Sequence, residues 1–392
     1  MCSVQNGRAY MEDRYTICKN LLPHLHMFAV YDGHGGHQVA DTCAMHLPDY
    51  LKNGLTGCST RDGIDISSVS NDSYESDDST MESHASAADA SRTTTTTTAS
   101  ATTALKYALK ATDERAWRTV RGLSTRSSSS SVTTAEGRKT RSQGFSLSSS
   151  SDEQCGSTAC IAVVEPHEIT LANVGDSRAI LKSASGRVRQ LSFDHKPGSE
   201  RERTRIERAG GAVVDVFGVA RVMGVLSLSR ALGDWHLRPF VSQDADLVSV
   251  KLDGNEEYML IASDGLWDVM SNEDVVAVID NLLKVRRRVE LSTAAAAHAF
   301  VDKKKDLSLP SETPDGAEGA DDAPHEGGPV PSAAAASAAK FKVQGISMAR
   351  AVVEEAIRRK SADNITVMWI DLSPGSMLID SKSVLRTAGK KS

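Results

Sequence analysis

The stretch V-Y-D-G-H-G-G, residues Val30 to Gly36, takes the chain from a buried strand into a polar turn within seven positions. The apolar run before it, from His26 to Tyr31, predicts a short strand. Asp32 comes directly after that run, and His34 follows among three glycines. A side chain at a strand end is held by a rigid element but can still point into a cleft. Asp32 and His34 are therefore candidate site residues.

Carboxylates recur at other predicted strand ends. Asp264 follows YMLIAS, Asp176 follows TLANVG, Asp363 precedes NITVMWI, and Glu12-Asp13 precede RYTIC. Any one of these acids alone is typical of a turn or a helix cap. Together they would repel one another unless a cation lay between them, and Mg²⁺ and Mn²⁺ prefer oxygen ligands. A hydrolytic centre with two metal ions can be built from such a set of acids.

Bulk composition excludes several classes of protein. The formal charge is −6, from 45 basic and 51 acidic residues, which argues against nucleic-acid binding. The six cysteines form no CxxC pair, which disfavours zinc binding and favours a reducing compartment, hence the cytoplasm and/or the nucleus. No apolar run reaches the ~18 residues that a membrane span needs. The start shows no signal peptide, and Cys2 stands where myristoylation requires glycine.

Three low-complexity stretches interrupt the chain. They cover about 59–103, 121–151 and 294–339 and are rich in Ser, Thr, Ala, Pro and Gly. Such compositions bury too little apolar surface to offset the entropy of ordering, so we expect disordered inserts. We predict one catalytic domain over 1–373, interrupted by these inserts, and a short basic tail over 374–392.

Strands and helices alternate between the inserts, which predicts an α+β layered sandwich. Apolar runs predict strands at 26–31, 159–164, 168–174, 179–182, 258–262 and 364–372. Helical spacing predicts helices at 36–47 (ended by Pro48), 104–120, 200–208, 272–285 (capped by Ser271 or Asn272) and 346–359.

Nine motifs resemble, in order, those of the metal-dependent Ser/Thr protein phosphatases of the 2C type (the PPM family). The resemblance implies a four-layer α-β-β-α sandwich, with two antiparallel sheets flanked by helices. It also implies a monomeric hydrolase acting on phosphorylated proteins in signalling. The motifs are RAYMED (8–13), VYDGHGG (30–36), CGSTA (155–159), ANVGDSRA (172–179), LSFDHKP (191–197), RIERAGG (205–211), LSLSRALGD (226–234), IASDGLWDVMSNEDVV (261–276) and SADNIT (361–366).

The resemblance assigns metal ligands for two Mg²⁺ or Mn²⁺ ions. It implies that Asp32 bridges the ions, and that the Gly33 carbonyl, Asp264 and Asp363 complete their protein ligands. Glu12 and Asp13 would hold metal-bound waters. Adjacent strand residues point to opposite faces, however, so both reach one ion only if the strand ends between them. Asp176 and Asp268 match acids that bind a third, weaker ion in some relatives.

The resemblance also implies the chemistry. A water bridging the two metals would attack phosphorus in line, without a phosphoenzyme. Arg8 would bind the phosphate, because its planar fork suits phosphate oxygens. His34 would protonate the departing Ser or Thr oxygen. Thr158 would order water or satisfy a strand end, and Arg230 and Asp234 are expected to form a buried pair. The stretch from 200 to 224 would form a flap beside the cleft.

Alternatives stay open from the sequence alone. A phosphoprotein-binding pseudophosphatase would share the fold, although the acid set with Arg8 and His34 favours activity. A hydrolase of small phosphoesters would share the ligands. Residues 2–8 (CSVQNGR) also match the C-x₅-R spacing of cysteine phosphatases, but no buried strand precedes Cys2 to support a phosphate loop. Family members usually carry a further strand before the arginine that matches Arg8.

Overall fold

Fifteen strands form within the residues that this computed structural model describes: 1–57, 100–122, 154–306 and 347–373. They are β1 (Cys2–Val4), β2 (Arg14–Leu22), β3 (Leu25–Tyr31), β4 (Gly33–His34), β5 (Gly156–Ser157), β6 (Ala159–Glu165), β7 (Glu168–Val174), β8 (Arg178–Ser183), β9 (Val188–Gln190), β10 (Val213–Val216), β11 (Val219–Val222), β12 (Leu232–Gly233), β13 (Asp246–Lys251), β14 (Glu256–Ala262) and β15 (Ile365–Asp371).

Two five-stranded sheets hold ten of these strands, all paired antiparallel. The first sheet has the order β1-β15-β14-β8-β9, and the second has the order β13-β7-β6-β3-β2. In the second sheet His26 lies opposite Val164, and Tyr15 lies opposite Val30. The short strand β1 pairs with β15, so the edge of the first sheet next to β15 is covered.

Helices cover the outer faces of both sheets. On these faces lie α1 (Gln38–Thr56), α2 (Ala101–Val120), α4 (Asp264–Trp267), α5 (Asn272–Asp306) and α6 (Met348–Arg358). Helix α3 (Glu200–Arg208) lies in the predicted flap and packs in a separate small cluster with the 3₁₀ turn at Trp235–Leu237.

Three apolar clusters define four layers. One joins α1 and α2 to the second sheet, through residues such as Leu47, Leu105 and Ile161. The next fills the space between the sheets and includes Phe28. The third joins the first sheet to α4, α5 and α6, around Leu260. The arrangement confirms the predicted α-β-β-α sandwich.

Helix α1 does not end at Pro48, as the sequence predicted, but runs on to Thr56. Proline removes the hydrogen bond that the carbonyl four residues earlier would accept, and this usually ends a helix. Here that carbonyl, on Ala44, accepts a hydrogen bond from Thr16 Oγ1 at 3.4 Å. The helix also continues to bury Leu51 and Leu55. Packing against the second sheet therefore outweighs the proline.

Two other helices extend beyond their predicted ends. Helix α2 begins at Ala101, and α5 continues from 285 to Asp306, into stretches that we assigned to inserts. At the start of α5 Ser271 is the cap: its Oγ accepts the Asp274 N–H at 3.1 Å, and Asp274 Oδ2 accepts the Ser271 N–H at 3.1 Å. The rest of the three predicted inserts and the tail over 374–392 lie outside the described residues.

Smaller elements stand apart from the main sheets. Strands β4, β5 and β12 form a three-stranded sheet in the order β12-β5-β4. Strands β10 and β11 pair only with each other, in the predicted flap, and Phe217 in their turn is fully exposed. None of the helices in the described part of the chain is long and apolar enough to cross a membrane.

Candidate metal centre and active site

Three carboxylates from separate strand ends converge where the two sheets meet. Asp32 directly follows β3, Asp176 follows β7 by two residues, and Asp264 begins α4 just after β14. Each offers an oxygen within 4.8 Å of the others'. Because β3 and β7 belong to one sheet and β14 to the other, the cluster depends on how the sheets stack.

The cluster is electrostatically unfavourable without a counter-charge. Burial and the charges of Asp13, Asp264 and Asp176 raise the pKa of Asp32 well above its usual range. Burial, with Asp176 and Asp268 nearby, raises the pKa of Asp264 to about 7. Like charges in a low-dielectric site disfavour one another's ionised forms. The site is therefore one that a cation would stabilise.

Asp13 gives a further sign that the site suits a cation. Its Oδ2 accepts a hydrogen bond from Ser263 Oγ at 2.9 Å, but its buried Oδ1 has no hydrogen-bond partner among the described residues. Burial raises the pKa of this carboxyl group as well. Ionised carboxylate oxygens accept hydrogen bonds and donate none, and one of the oxygens here has no partner among the described residues. Such a set of oxygen ligands fits a hard cation such as Mg²⁺ or Mn²⁺.

Glu12 and Gly33 meet through their backbones. A Cβ on Gly33 would lie 2.7 Å from the Glu12 carbonyl oxygen, so only glycine permits this approach. The Glu12 N–H donates to Asn364 Oδ1 at 2.8 Å, which joins the start of β2 to the start of β15. The Asp13 carboxyl group interacts with Asp32, the charge of Glu12 acts on His34, and β2 begins only at Arg14. The assignment of both acids and of the Gly33 carbonyl to metal or its waters stays a prediction.

Arg8 and Asp363 form an ion pair with each other. Asp363 lies outside the three-acid cluster, although its charge acts on Asp13 and Asp268. The Arg8 side chain is 56% exposed, and the charges of Asp264 and Asp32 act on it, so its guanidinium lies at the mouth of the cluster. Asp176 is therefore the acid that lies beside Asp32 and Asp264 here, and the assignment of Asp363 as a metal ligand stays a prediction.

Lys196 is a neighbour of the cluster that the sequence analysis missed. Its Nζ forms an ion pair with Asp176. Burial opposes the lysine's charge, but Asp176 outweighs it and raises the pKa of Lys196. The preceding residue, His195, accepts the Gly175 N–H on Nδ1 at 3.0 Å and so holds the turn before Asp176. The motif LSFDHKP contains both residues. The signal that could have identified Lys196 was a basic side chain in a motif beside the predicted acids.

Asp268 does not join the cluster. It is exposed at the end of α4, one turn after Asp264, and burial together with Asp176 and Asp363 raises its pKa despite Lys196. Its assignment to a third ion stays a prediction.

Thr158 supports Asp32 from the neighbouring strand. Its Oγ1 accepts the Asp32 N–H at 3.0 Å, and its own N–H donates to the Asp32 carbonyl at 2.9 Å. Of the two roles predicted for Thr158, ordering water or satisfying a strand end, these hydrogen bonds support the second.

His34 pairs with Asp234, which corrects the predicted pairing of Arg230 with Asp234. His34 Nε2 lies 2.7 Å from Asp234 Oδ2, and the Asp234 side chain is 1% exposed. Burial alone would lower the pKa of His34, but Asp234 outweighs it and raises the pKa above its usual value. The residue spacing in SRALGD did not reveal that Asp234 follows β12, on the far side of β5 from His34.

Arg230 instead joins the flap to the second sheet. Its guanidinium donates to Glu202 Oε1 at 2.6 Å and to Asp246 Oδ1 at 3.0 Å. Burial opposes ionisation of Glu202, but Arg230 and then Arg205 outweigh it and lower the pKa to about 2. This buried network fixes α3 relative to β13.

The cysteine alternative has no structural support. Cys2 lies in β1 opposite Val367, and burial raises the pKa of its thiol, whereas a nucleophilic cysteine needs a lowered one. Arg8 turns to Asp363 and the acid cluster instead.

Solved structures show the same fold. Over 94% of this chain and 93% of the other, the chain resembles the crystal structure of a serine-threonine phosphatase 2C from Toxoplasma gondii, with a TM-score of 0.55 and 19% identity. A sex-determining protein of C. elegans matches 96% of this chain and 65% of its own, with a TM-score of 0.57 and 22% identity. The likeness to these two structures shows that the chain has the same sandwich fold.

Sequence comparisons identify the family. The family model described as Protein phosphatase 2C matches residues 1–113 and 109–306. A probable protein phosphatase 2C 9 of Oryza sativa is 38% identical over 57% of this chain and 49% of its own length. Protein phosphatase 1L of Bos taurus is 32% identical over 72% and 62%. The chain thus spans about half to three-fifths of the length of these relatives. It belongs to the protein phosphatase 2C family, which confirms the predicted resemblance.

Proposed function

We propose that this chain hydrolyses phosphoserine and phosphothreonine in phosphorylated proteins, with Mg²⁺ or Mn²⁺ bound at the acid cluster. The observation that carries the proposal is the convergence of Asp32, Asp176 and Asp264 within 4.8 Å, with raised pKa values for Asp32 and Asp264. Family membership supports phosphoproteins as substrates. The resemblance supports a monomer, and the scattered cysteines support the cytoplasm and/or the nucleus as its compartment.

The chain's acids would hold the cations. Asp32, Asp176 and Asp264 supply carboxylate oxygens, and the Asp13 carboxyl group, whose Oδ1 has no hydrogen-bond partner among the described residues, interacts with Asp32. Asp363 and the Gly33 carbonyl are the further ligands that the family implies. When bound, such cations act as Lewis acids and make water nucleophilic at neutral pH, for a direct in-line hydrolysis.

Arg8 and His34 would act on the phosphoryl group. Arg8 is exposed at the mouth of the cluster, and its planar fork provides donors for phosphate oxygens in addition to those that bond to Asp363. Positioned donors that face developing charge stabilise the transition state. His34 follows Asp32 by two residues, and its ring is 24% exposed, so it is the group placed to protonate the leaving oxygen.

Hydrolysis of a phosphothreonine peptide with Mn²⁺ tests the proposal. We expect turnover that excess chelator abolishes and Mn²⁺ restores. Asp32→Asn and Asp264→Asn should each lower kcat by at least about 10²-fold, because a catalytic metal contributes several kcal/mol to transition-state stabilisation.

The matched control is Asp253→Asn, which removes an exposed carboxylate from the turn between β13 and β14. It should retain wild-type turnover. Activity that persists after complete metal removal, or in Asp32→Asn, would contradict the proposal. Binding of the phosphopeptide without any turnover would favour the pseudophosphatase.

A further inference from the structure

His34 and Asp234 are held together by a small sheet built around Gly156. Strand β4 brings His34 opposite Gly156 on one side of β5, and β12 brings Gly233 opposite Gly156 on the other. Asp234 is the next residue. A Cβ on Gly156 would lie 2.1 Å from Asp234 Oδ2 and 2.4 Å from His34 Nε2. The pair therefore fills the space that any other residue at 156 would occupy.

The backbone around Asp234 is fixed from several directions. Asp234 has a left-handed conformation, with φ of 46°, and its N–H donates to the Cys155 carbonyl at 3.0 Å. Asp113, on α2, accepts the Gly233 N–H at 2.7 Å and a hydrogen bond from Arg238 Nη2 at 3.0 Å. Non-glycine residues in this region of φ are uncommon and persist only where their surroundings require them.

The hydrogen bond determines which ring nitrogen of His34 is free. A carboxylate oxygen only accepts hydrogen bonds, so Nε2 carries the hydrogen that is shared with Asp234. Nδ1 is then the ring atom available to the substrate. A partner that holds one nitrogen of a histidine fixes the orientation of the ring and the tautomer.

We propose that Asp234 is a positioning residue, which holds His34 through Nε2 so that Nδ1 delivers the proton to the departing seryl or threonyl oxygen. This inference rests on the proposed function. As the P–O bond breaks, its electron pair goes to the leaving oxygen, which takes the Nδ1 proton. Water supplies the oxygen that completes inorganic phosphate. His34 is left neutral, with its Nε2–H still donated to Asp234.

The dependence of kcat on the leaving group distinguishes a positioning role of Asp234 from a general structural role. A phosphothreonine peptide releases an alkoxide that needs a proton, whereas p-nitrophenyl phosphate releases a phenolate that departs without one. With saturating Mn²⁺, we expect Asp234→Asn to lower kcat about 10²-fold for the peptide and less than about threefold for p-nitrophenyl phosphate. A factor of about 10² is the lower end of what general acid catalysis contributes. His34→Gln should show the same pattern, and the double variant should lose no more than either single variant.

The outcomes are distinguishable. Equal losses of kcat on both substrates, or no loss on either, would overturn the role of Asp234 while leaving the phosphatase proposal standing. A wild-type protein inactive on both substrates would overturn the two proposals together. The control Asp253→Asn should change neither rate.

A measurement on the wild-type protein covers the case in which Asp234→Asn fails to fold. Long-range ¹H–¹⁵N correlation NMR reports the tautomer of each neutral histidine ring, and the spectrum of His34→Gln assigns the resonance. We expect the Nε2–H tautomer for His34. A neutral ring protonated on Nδ1 would contradict the inference.

Discussion

Carboxylates at the acid cluster work against the folded state unless a cation binds. The folded pKa of Asp264, about 7, lies above the ordinary value of 3.8, because of burial and of its neighbours Asp176 and Asp268. The folded protein therefore holds this proton more tightly than the unfolded chain. Its contribution to stability is complete below the unfolded pKa and is lost as the pH rises through the folded one.

Replacing Asp264 isolates that contribution. In chelator, we expect Asp264→Asn to become more stable relative to wild type as the pH rises from about 4 to about 7, because only wild type gains a buried charge at position 264 over that range. Urea unfolding of both proteins at several pH values measures the difference in unfolding free energy. A difference that is constant with pH, or that shrinks as the pH rises, would contradict the prediction.

At the same scale, the sequence identified the acids but not their partners. Asp32, Asp176 and Asp264 could be found because each comes at the end of an apolar run, and Asp363 because it comes just before one. Which of these lies beside the other two depends on how the sheets stack, and no local pattern encodes that. The same limit hid the pairing of His34 with Asp234, 200 residues apart.

Helix ends provide a matched pair of serines. Ser271 caps α5, with its Oγ accepting the Asp274 N–H, whereas Ser347 stands at the same position before α6 without a side-chain hydrogen bond to the helix. We expect Ser271→Ala to lower the unfolding free energy by about 1 kcal/mol, the usual effect of losing a cap. Ser347→Ala should change it by much less. Denaturant midpoints measure both, and equal losses would show that the Ser271 bond contributes nothing.

Whether a segment forms a helix or a strand was predictable, because apolar periodicity reports burial. The residues at which the elements begin and end were less predictable. The strand from Glu168 to Val174 and the helix from Glu200 to Arg208 have the predicted bounds. Helix α1 passes Pro48 because a distant threonine, Thr16, bonds to the freed carbonyl. Helix α5 continues through residues whose composition predicted an insert. In α1 tertiary contacts outweighed the proline, and in α5 helix propensity outweighed the low-complexity composition that predicted an insert.

Because the acid cluster draws on both sheets, a cation bound there links the two halves of the molecule. Ligands that bind only the folded state raise its stability by mass action. We expect millimolar Mn²⁺ to raise the melting temperature of wild type, with a shift that grows with metal concentration. Asp32→Asn should lose most of this shift, and Asp253→Asn should keep it. An equal Mn²⁺ response in all three proteins would place the stabilising ion elsewhere.

The layer architecture followed from the sequence because alternating strands and helices allow few arrangements. The order of the strands within each sheet did not follow from the sequence. Strand β15 lies between β1 and β14, and Val367 pairs with Cys2 on one side and with Ala262 on the other, 365 and 105 residues earlier in the chain.

That position of β15 has a consequence for synthesis on the ribosome. The chain makes β1 before the other described strands, yet β1 has no strand beside it until β15, the last of these strands, is made. The ion pair of Arg8 with Asp363 and the bond between Glu12 and Asn364 wait for the same segment. Translation must therefore pass residue 371 before this end of the molecule can close, and a nascent chain halted earlier has neither a finished first sheet nor a finished acid site.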